Sequence, residues 1–467
     1  MSDDTKKYFI SVSEEKKAEK FKFLFLATTF FLIIGAYTLI RDLKNAIFIG
    51  LVGKEYIPIG KILFLVILIP AILLYSKLVD KVRRYYLLGF YSLFYAVVCL
   101  LFAFFIGHPT IGILNTDQSP YRIFGWLFYF FVEGFSPFVL SVFWAFSNSI
   151  NSPQSAKENY GFMVSGSQLG GMLTAGIAWA LFSFATFPIV GYITDVAKMR
   201  LIFLVASCFL FLVPVILWLL MHLVPGKHLH GYEAAYKIEK ERGKTGKAKT
   251  GMFAGLKMLV KYPYVLGIFS MIFFYEVLNA ILGYLRLGVA EKAGKSIAGT
   301  TGFLFKWVFI MQAFGLVISL LGTSSLLRKL GTRTCIVLIP IVMGLVVFCF
   351  VISDSSLIVM SAFTLMKSVN YAFSKPVVES LYIPTLKEIK FKSKSWIDAF
   401  GSKVAKGSGS VFNLVAGFVR PAAFLPLYSL FFALIIGLWT FAAFFLGKRF
   451  ESAISGNEVI GFAKDNN

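Results

Sequence analysis

Hydrophobic residues are gathered into long runs separated by short charged or turn-rich segments. A helix needs about 20 mainly apolar residues to cross the hydrocarbon core of a bilayer. We count twelve runs of roughly this length and predict an all-α polytopic membrane protein with twelve transmembrane helices. The runs cover 21–50, 59–76, 85–107, 123–147, 162–187, 200–224, 264–285, 301–322, 334–353, 356–374, 399–418 and 424–447.

The longest polar interruption, 225–251, divides the runs into two sets of six. It is rich in Lys, Arg and Gly and is predicted to be a basic cytoplasmic linker. The predicted order is a cytoplasmic N-terminal segment (1–20), a six-helix bundle (21–224), the linker (225–251), a second six-helix bundle (252–447) and a cytoplasmic tail (448–467).

Short segments of the two halves match in sequence. Gly166-Ser167-Gln168-Leu169 is matched 235 positions later by Gly401-Ser402-Lys403-Val404, and basic turns at 77–84 and 327–333 follow the second and eighth runs. This basic turn is similar to the major facilitator pattern. Two related bundles with a substrate site near the membrane midplane are the expected major-facilitator-like architecture.

Composition agrees with a membrane protein and explains the net charge. Of the 467 residues 58% are hydrophobic and 15% are charged, which leaves too little polar surface for a water-soluble particle. The net charge of +22 comes largely from basic segments that all fall on the N-terminal side of the predicted topology. By the positive-inside rule both termini are cytoplasmic, and the basic residues indicate a bilayer partner rather than nucleic acid.

Several activities are excluded by missing motifs. The four cysteines show no disulfide or zinc spacing, and no nucleophile–base or metal-ligand set occurs, so we predict no enzyme activity, cofactor or metal. Arg242-Gly243-Lys244-Thr245 resembles the end of a phosphate-binding loop, but Ile238 stands where that motif needs glycine. Transport should therefore be secondary.

Charged residues inside apolar runs indicate function, because each costs several kcal/mol unless it is paired or hydrated. Arg41 and Lys44 lie three residues apart on one face of the first predicted helix and are expected to face an anion. The alternative is that the first span ends at residue 40, which would leave both cations at the membrane boundary.

Two carboxylates also interrupt apolar runs. Glu133 lies among phenylalanines in the fourth run, from which a polar trace leads to Asn148. It is expected to pair with Lys44, to bind a ribose hydroxyl or to carry a proton, and a purely structural ion pair is the alternative. Glu276 lies in the seventh run beside Tyr275 and Asn279.

The eleventh run combines Lys403 and Lys406 with several glycines and serines. Small residues allow a neighbouring helix or a phosphate to approach the backbone, although helix packing alone explains many such stripes. The candidate substrate-binding residues are Arg41, Lys44, Glu133, Asn148, Glu276, Lys403 and Lys406.

All of these residues except Glu276 stand in three motif blocks. The blocks are Tyr37-Thr38 through Arg41-Asp42 to Lys44, Phe128-Tyr129 with Glu133 through Phe143-Trp144 to Asn148, and Tyr382-Ile383-Pro384 through Asp398 and Gly401 to Lys406.

Together the blocks resemble the TLC-type nucleotide transporter family, the ATP:ADP antiporters of plastids and of obligate intracellular bacteria. The resemblance implies that Lys44, Glu133, Glu276 and Lys406 serve the exchange of nucleotides such as ATP and ADP. It also implies a multi-pass protein of the bacterial inner membrane, which we expect to be a monomer.

The chain departs from the family pattern near these residues. Ala280 stands where the family has a lysine, Asn45 replaces an aspartate, and Lys403 replaces an arginine. Alternatives therefore stay open: a proton-coupled nucleotide or NAD importer, a carrier of other phosphorylated metabolites, or a non-transporting receptor or scaffold. The last would leave the intramembrane charges without a role.

Overall fold

Helices form nearly all of the secondary structure in the residues that are described. The structure is a computed structural model, and it describes residues 3–82, 84–151, 153–183, 193–225, 229, 254–321, 323–352, 355–382, 384–385, 393–418, 421–456, 458 and 460. The linker predicted at 225–251 lies almost wholly outside these residues.

Sixteen helices are described in this part of the chain, some of them joined end to end. They are α1 (Asp3–Leu51), α2 (Ile57–Lys81), α3 (Arg84–Phe105), α4 (Ile123–Phe135), α5 (Ser141–Ile150), α6 (Pro153–Ser183), α7 (Asp195–Leu223), α8 (Ala254–Lys261), α9 (Pro263–Gly294), α10 (Ile297–Leu321), α11 (Thr323–Ile352), α12 (Ser356–Val369), α13 (Lys375–Ser380), α14 (Lys394–Trp396), α15 (Ser402–Gly417) and α16 (Pro421–Ser455).

Three π-helical turns join helices into longer units. Ser136–Leu140 joins α4 to α5, Asn370–Ser374 joins α12 to α13, and Ile397–Gly401 joins α14 to α15. One helix contains a sharp break: α11 bends at Gly331, whose φ of 75° and ψ of 162° suit glycine because other residues rarely adopt a positive φ.

Nine helices in the described residues are long and apolar enough to cross a membrane. The prediction of an all-α, multi-pass membrane protein is confirmed. Three predicted runs, 59–76, 162–187 and 399–418, fall on helices outside these nine, and α15 among them is diluted by glycine and serine. The number of twelve crossings therefore stays a prediction.

The chain forms two compact units that exchange short segments. Unit 1 contains Met1–Val52, Leu68–Lys249 and Ser296–Phe309, and unit 2 contains Gly53–Ile67, Thr250–Lys295 and Ile310–Asn467. Two helices are therefore divided between the units. The first part of α2 belongs to unit 2 and its remainder to unit 1, whereas the first part of α10 belongs to unit 1 and its remainder to unit 2.

The same packing pattern occurs inside both units. In unit 1, α1 packs against α4, α6 and α7, and α3 packs against α7. In unit 2, α9 packs against α12, α15 and α16, and α11 packs against α16. The first helix of each set is thus central to its own unit, which places its polar residues among several neighbours.

Close approach of α6 to α1 depends on glycine. A Cβ atom built on Gly170 would lie 2.4 Å from the Phe31 carbonyl oxygen, and one on Gly166 would lie 2.8 Å from the Ala27 carbonyl oxygen. Both distances are shorter than a normal contact. The glycine stripe of the fifth run is therefore a helix-packing surface, as small residues often are in membranes.

A hydrogen-bonded loop, 106–122, is anchored at the C-terminal end of α1. The Gln118 side chain donates to the Ile49 carbonyl at 2.6 Å, and the Ser119 amide donates to the Leu51 carbonyl at 2.9 Å. Arg122 donates to four carbonyls of the same loop. These bonds satisfy carbonyls that the end of a helix leaves without intrahelical partners.

Replacing Gly170 with alanine should destabilise the protein by about 1–3 kcal/mol, since overpacking forces backbone or side-chain shifts. Gly437→Ala is the matched control, because Gly437 is exposed on α16 and nothing lies within 4 Å of its ideal Cβ. Alanine favours helix there, so the control should be neutral or slightly stabilising. Thermal unfolding in detergent measures both, and equal stability of the two variants would contradict this packing account.

Candidate functional site

A buried ion pair joins α1 to α4 in unit 1. Lys44 Nζ donates to Glu133 Oε1 at 2.6 Å. The Lys44 side chain is 5% exposed and the Glu133 side chain is 21% exposed. The same ammonium lies 4.5 Å from the centroid of the Tyr129 ring, one helical turn before Glu133. The lysine is thus stabilised both by a charge-assisted hydrogen bond and by a cation–π contact.

The first helix continues well beyond these cations. It is uninterrupted to Leu51, seven residues past Lys44, which corresponds to about 10 Å of helix. Arg41 pairs with its neighbour Asp42, through Nε and Nη2 to Oδ2 at 3.1 and 2.9 Å. The helix does not end at residue 40, so Lys44 lies inside α1.

A π turn follows Glu133 by three residues. At Ser136–Leu140 the Ser141 amide donates to the Ser136 carbonyl, five positions back, and Pro137 lies at the start of the turn. The residue before the turn, Phe135, stacks on Tyr37 with centroids 5.0 Å apart. Such π bulges occur often at functional sites, because the extra residue rotates the following side chains relative to the preceding ones.

A second charge cluster lies in unit 2. Glu276 Oε1 is 3.6 Å from Lys406 Nζ, and Glu276 Oε2 accepts a hydrogen bond from Asn279 Nδ2 at 2.6 Å. The Glu276 side chain is 16% exposed and that of Lys406 is 33% exposed. The carboxylate is therefore held on both oxygens, and the lysine keeps access to its surroundings.

Helix packing brings Lys406 beside Glu276. A Cβ atom on Gly409 would lie 2.7 Å from the Val277 carbonyl oxygen, so α15 contacts the backbone of α9 at this point. Asn413 Nδ2 also donates to the Ala280 carbonyl at 3.2 Å. The small residues of the eleventh run thus serve helix packing at Gly409, one turn after Lys406, and this packing sets the position of the lysine.

The two remaining candidates are Lys403 and Asn148. Lys403 lies one turn from Lys406, with its ammonium 5.2 Å from the centroid of the Phe64 ring. The side chain of Asn148 lies outside the described residues. Within the described part of the chain, no three His, Cys, Asp or Glu side chains converge as metal ligands would.

Two lysines near Glu276 were not among the predicted site residues. Lys367 on α12 and Lys375 on α13 both act electrostatically on the Glu276 carboxylate, together with Lys406. Lys367 is a charged residue within the apolar run 356–374 and lies 234 positions after Glu133. The internal repeat was therefore the sequence signal that would have found it.

Solved structures of other membrane proteins share the fold of this chain. A D-xylose–proton symporter has a TM-score of 0.60 at 14% identity and covers 91% of this chain and 97% of its own. A bacterial homologue of the iron transporter ferroportin, in an inward-facing state, has a TM-score of 0.57 at 14% identity and covers 93% and 99%. The fold is that of major-facilitator-type membrane transporters.

Sequence comparison then gives the family. The family model for the TLC ATP/ADP transporter matches residues 121–450. ADP,ATP carrier protein 1 of Rickettsia prowazekii is 25% identical over 498 residues, covering 94% of this chain and 95% of the carrier. ADP,ATP carrier protein 1 of Chlamydia pneumoniae is 25% identical over 488 residues, covering 92% of each chain.

The chain belongs to the TLC ATP/ADP transporter family, because the family model matches well over half of its length. The family predicted from the three motif blocks is confirmed. The protein is a transporter rather than an enzyme, as its charge pattern and lack of an ATPase motif predicted.

The Lys44–Glu133 pair should show strong energetic coupling. Lys44→Gln alone should lower the free energy of unfolding by about 3 kcal/mol, because it leaves a carboxylate without its cation in a low-dielectric setting. The double variant Lys44→Gln/Glu133→Gln should lose less than the sum of the single losses. Exposed Lys329→Gln is the control, and additive thermal destabilisation would argue against a coupled pair.

Proposed function

We propose that the protein is a secondary active transporter that exchanges nucleotides, ATP against ADP, by alternating access. Membership of the TLC family and likeness to proteins named ADP,ATP carriers support this substrate class. The observation on which the proposal chiefly rests is the presence of a lysine–carboxylate pair within the helices of each unit, Lys44–Glu133 and Lys406–Glu276.

The pairs suit a carrier of multiply charged anions for a physical reason. A lone cation among apolar helices is costly, so a site that binds phosphate needs another anion when the substrate is absent. Glu133 and Glu276 supply that anion. A phosphate oxygen can then replace the carboxylate at each lysine, and charge is compensated in both the empty and the loaded carrier.

Partner exchange also favours antiport over proton coupling. Each carboxylate already contacts a lysine. When a nucleotide binds, the lysine exchanges its carboxylate partner for a phosphate, and no proton has to bind to balance the charge. A proton-coupled importer of a nucleotide or of NAD remains an outcome of the transport experiment below.

We further propose that the carrier is a monomer of the bacterial inner membrane with both termini in the cytoplasm. The distribution of basic segments supports this orientation.

Alkaline phosphatase fused after Asn467 should be inactive, and the same enzyme inserted at Asn115 in the loop 106–122 should be active. Activity of the C-terminal fusion would reverse the orientation, and light scattering in detergent would measure the mass.

The purified carrier in liposomes should take up labelled ADP when the liposomes contain ATP. Empty liposomes should show little uptake, and a protonophore or an imposed pH gradient should have no effect. Uptake into empty liposomes that depends on the gradient would replace exchange with proton-coupled import. Failure of ATP, ADP and NAD to compete would exclude a nucleotide carrier.

Lys406→Gln should raise the KM for nucleotide about 10- to 100-fold, because a charge-assisted hydrogen bond is worth about 1.5–3 kcal/mol. Lys329→Gln, which changes an exposed lysine on α11, serves as the matched control. Folded Lys406→Gln that exchanges nucleotide with wild-type KM would remove this lysine from the site.

A further inference from the structure

Both units place opposite charges on a central helix and on a neighbouring helix that carries a π turn, with the signs reversed. In unit 1, α1 provides Lys44, and α4 provides Glu133 three residues before the π turn Ser136–Leu140. In unit 2, α9 provides Glu276, and α12 provides Lys367 three residues before the π turn Asn370–Ser374. The two turns begin 234 positions apart.

Lys367 therefore occupies in unit 2 the place that Glu133 occupies in unit 1. Glu276 lies on the central helix of unit 2, as Lys44 lies on that of unit 1, at an offset of 232 positions. Recurrence of the π turn at the same spacing is independent of the charges themselves. The π turn therefore gives a correspondence of positions between the two units that rests on backbone geometry. By this correspondence Lys367 takes the position of Glu133, a candidate site residue.

Aromatic rings hold the Lys367 ammonium in position. Its Nζ lies 5.8 Å from the ring centroids of both Tyr275 and Phe363, and 5.5 Å from that of Tyr371. Tyr275 precedes Glu276 on α9, and Tyr371 lies within the π turn. Ring faces stabilise an ammonium without neutralising its charge, so the cation remains able to attract an anion.

Positive charge outweighs negative charge around Glu276. Lys367, Lys375 and Lys406 all act on this one carboxylate. Asp398 also feels Lys375, so that lysine is shared with a second acid. With Lys375 shared, Glu276 offers one negative charge to Lys367 and Lys406, whereas a nucleoside triphosphate offers several.

A buried hydroxyl lies next to Lys375 in the chain. Ser374 is 5% exposed, and its Oγ has no hydrogen-bond partner among the described residues. It immediately precedes Lys375 in the π turn. A buried hydroxyl without a partner is costly, and a phosphate oxygen is an acceptor that would satisfy it.

We propose that Lys367, together with Lys406, binds the polyphosphate of the nucleotide and makes the unit 2 site discriminate by phosphate number. The proposal rests on the proposed nucleotide transport and adds a residue and a selectivity to it. Lys406 binds the single phosphate of a monophosphate. Each additional phosphate adds negative charge that Lys367 is placed to bind.

The test measures binding of ATP, ADP, AMP and inorganic tripolyphosphate to the purified full-length protein. Lys367→Gln should weaken ATP and tripolyphosphate binding about tenfold or more and AMP binding less than threefold. Lys367→Arg keeps the charge and should bind ATP within about threefold of wild type. The control Lys329→Gln should match wild type for every probe.

Wild-type affinity of Lys367→Gln for all probes would overturn the proposal, and so would an equal loss for all of them, which indicates a structural role. If Lys367→Gln does not fold, Lys367→Gln/Glu276→Gln keeps the charges balanced and is compared with Glu276→Gln. The double variant should then bind ATP about tenfold more weakly than the single variant, and equal affinities would overturn the proposal.

The outcomes separate this proposal from the proposed function. A wild-type protein that binds tripolyphosphate through Lys367 but binds no nucleotide would reject nucleotide transport and keep the lysine as a polyphosphate ligand. Nucleotide binding that ignores Lys367 would keep the transporter and reject the lysine. A wild-type protein that binds none of the four probes would reject both.

Discussion

Charges placed within apolar helices must be compensated, and this requirement organises the candidate site. Lys44 is almost completely buried, yet it is stable because Glu133 and the Tyr129 ring surround its ammonium. Lys406 and Asn279 compensate Glu276 in the same way. A transporter of anions has to break such compensation when its substrate binds, so each internal ion pair is also a place where substrate charge can be exchanged for protein charge.

The backbone makes this compensation possible at two levels. Glycines let helices meet closely enough to bring opposite charges together, as Gly409 does where α15 contacts α9 beside Glu276. The π turns then interrupt the regular helical repeat next to Glu133 and Lys367. A bulky residue at 409 would separate α15 from α9 and so move Lys406 away from Glu276.

Much of this was predictable from sequence because membrane helices and intramembrane charges are strong signals. Apolar runs located the helices, and isolated charges within them indicated Lys44, Glu133, Glu276 and Lys406. The π turns were not predictable, since the hydrophobic pattern around Ser136-Pro137 and Asn370-Tyr371 does not distinguish them from a regular α-helix. Lys367 was missed because apolar runs do not specify which face of α12 meets α9, although its spacing of 234 positions from Glu133 pointed to it.

The most direct measurement of the central claim is an experimental structure of the carrier with bound ATP. The account predicts phosphate oxygens within hydrogen-bond distance of Lys406 Nζ, with the Glu276 carboxylate farther from that ammonium than 3.6 Å. ATP bound elsewhere, with both the Lys44–Glu133 and the Lys406–Glu276 pairs intact, would contradict the account and leave these pairs as purely structural contacts.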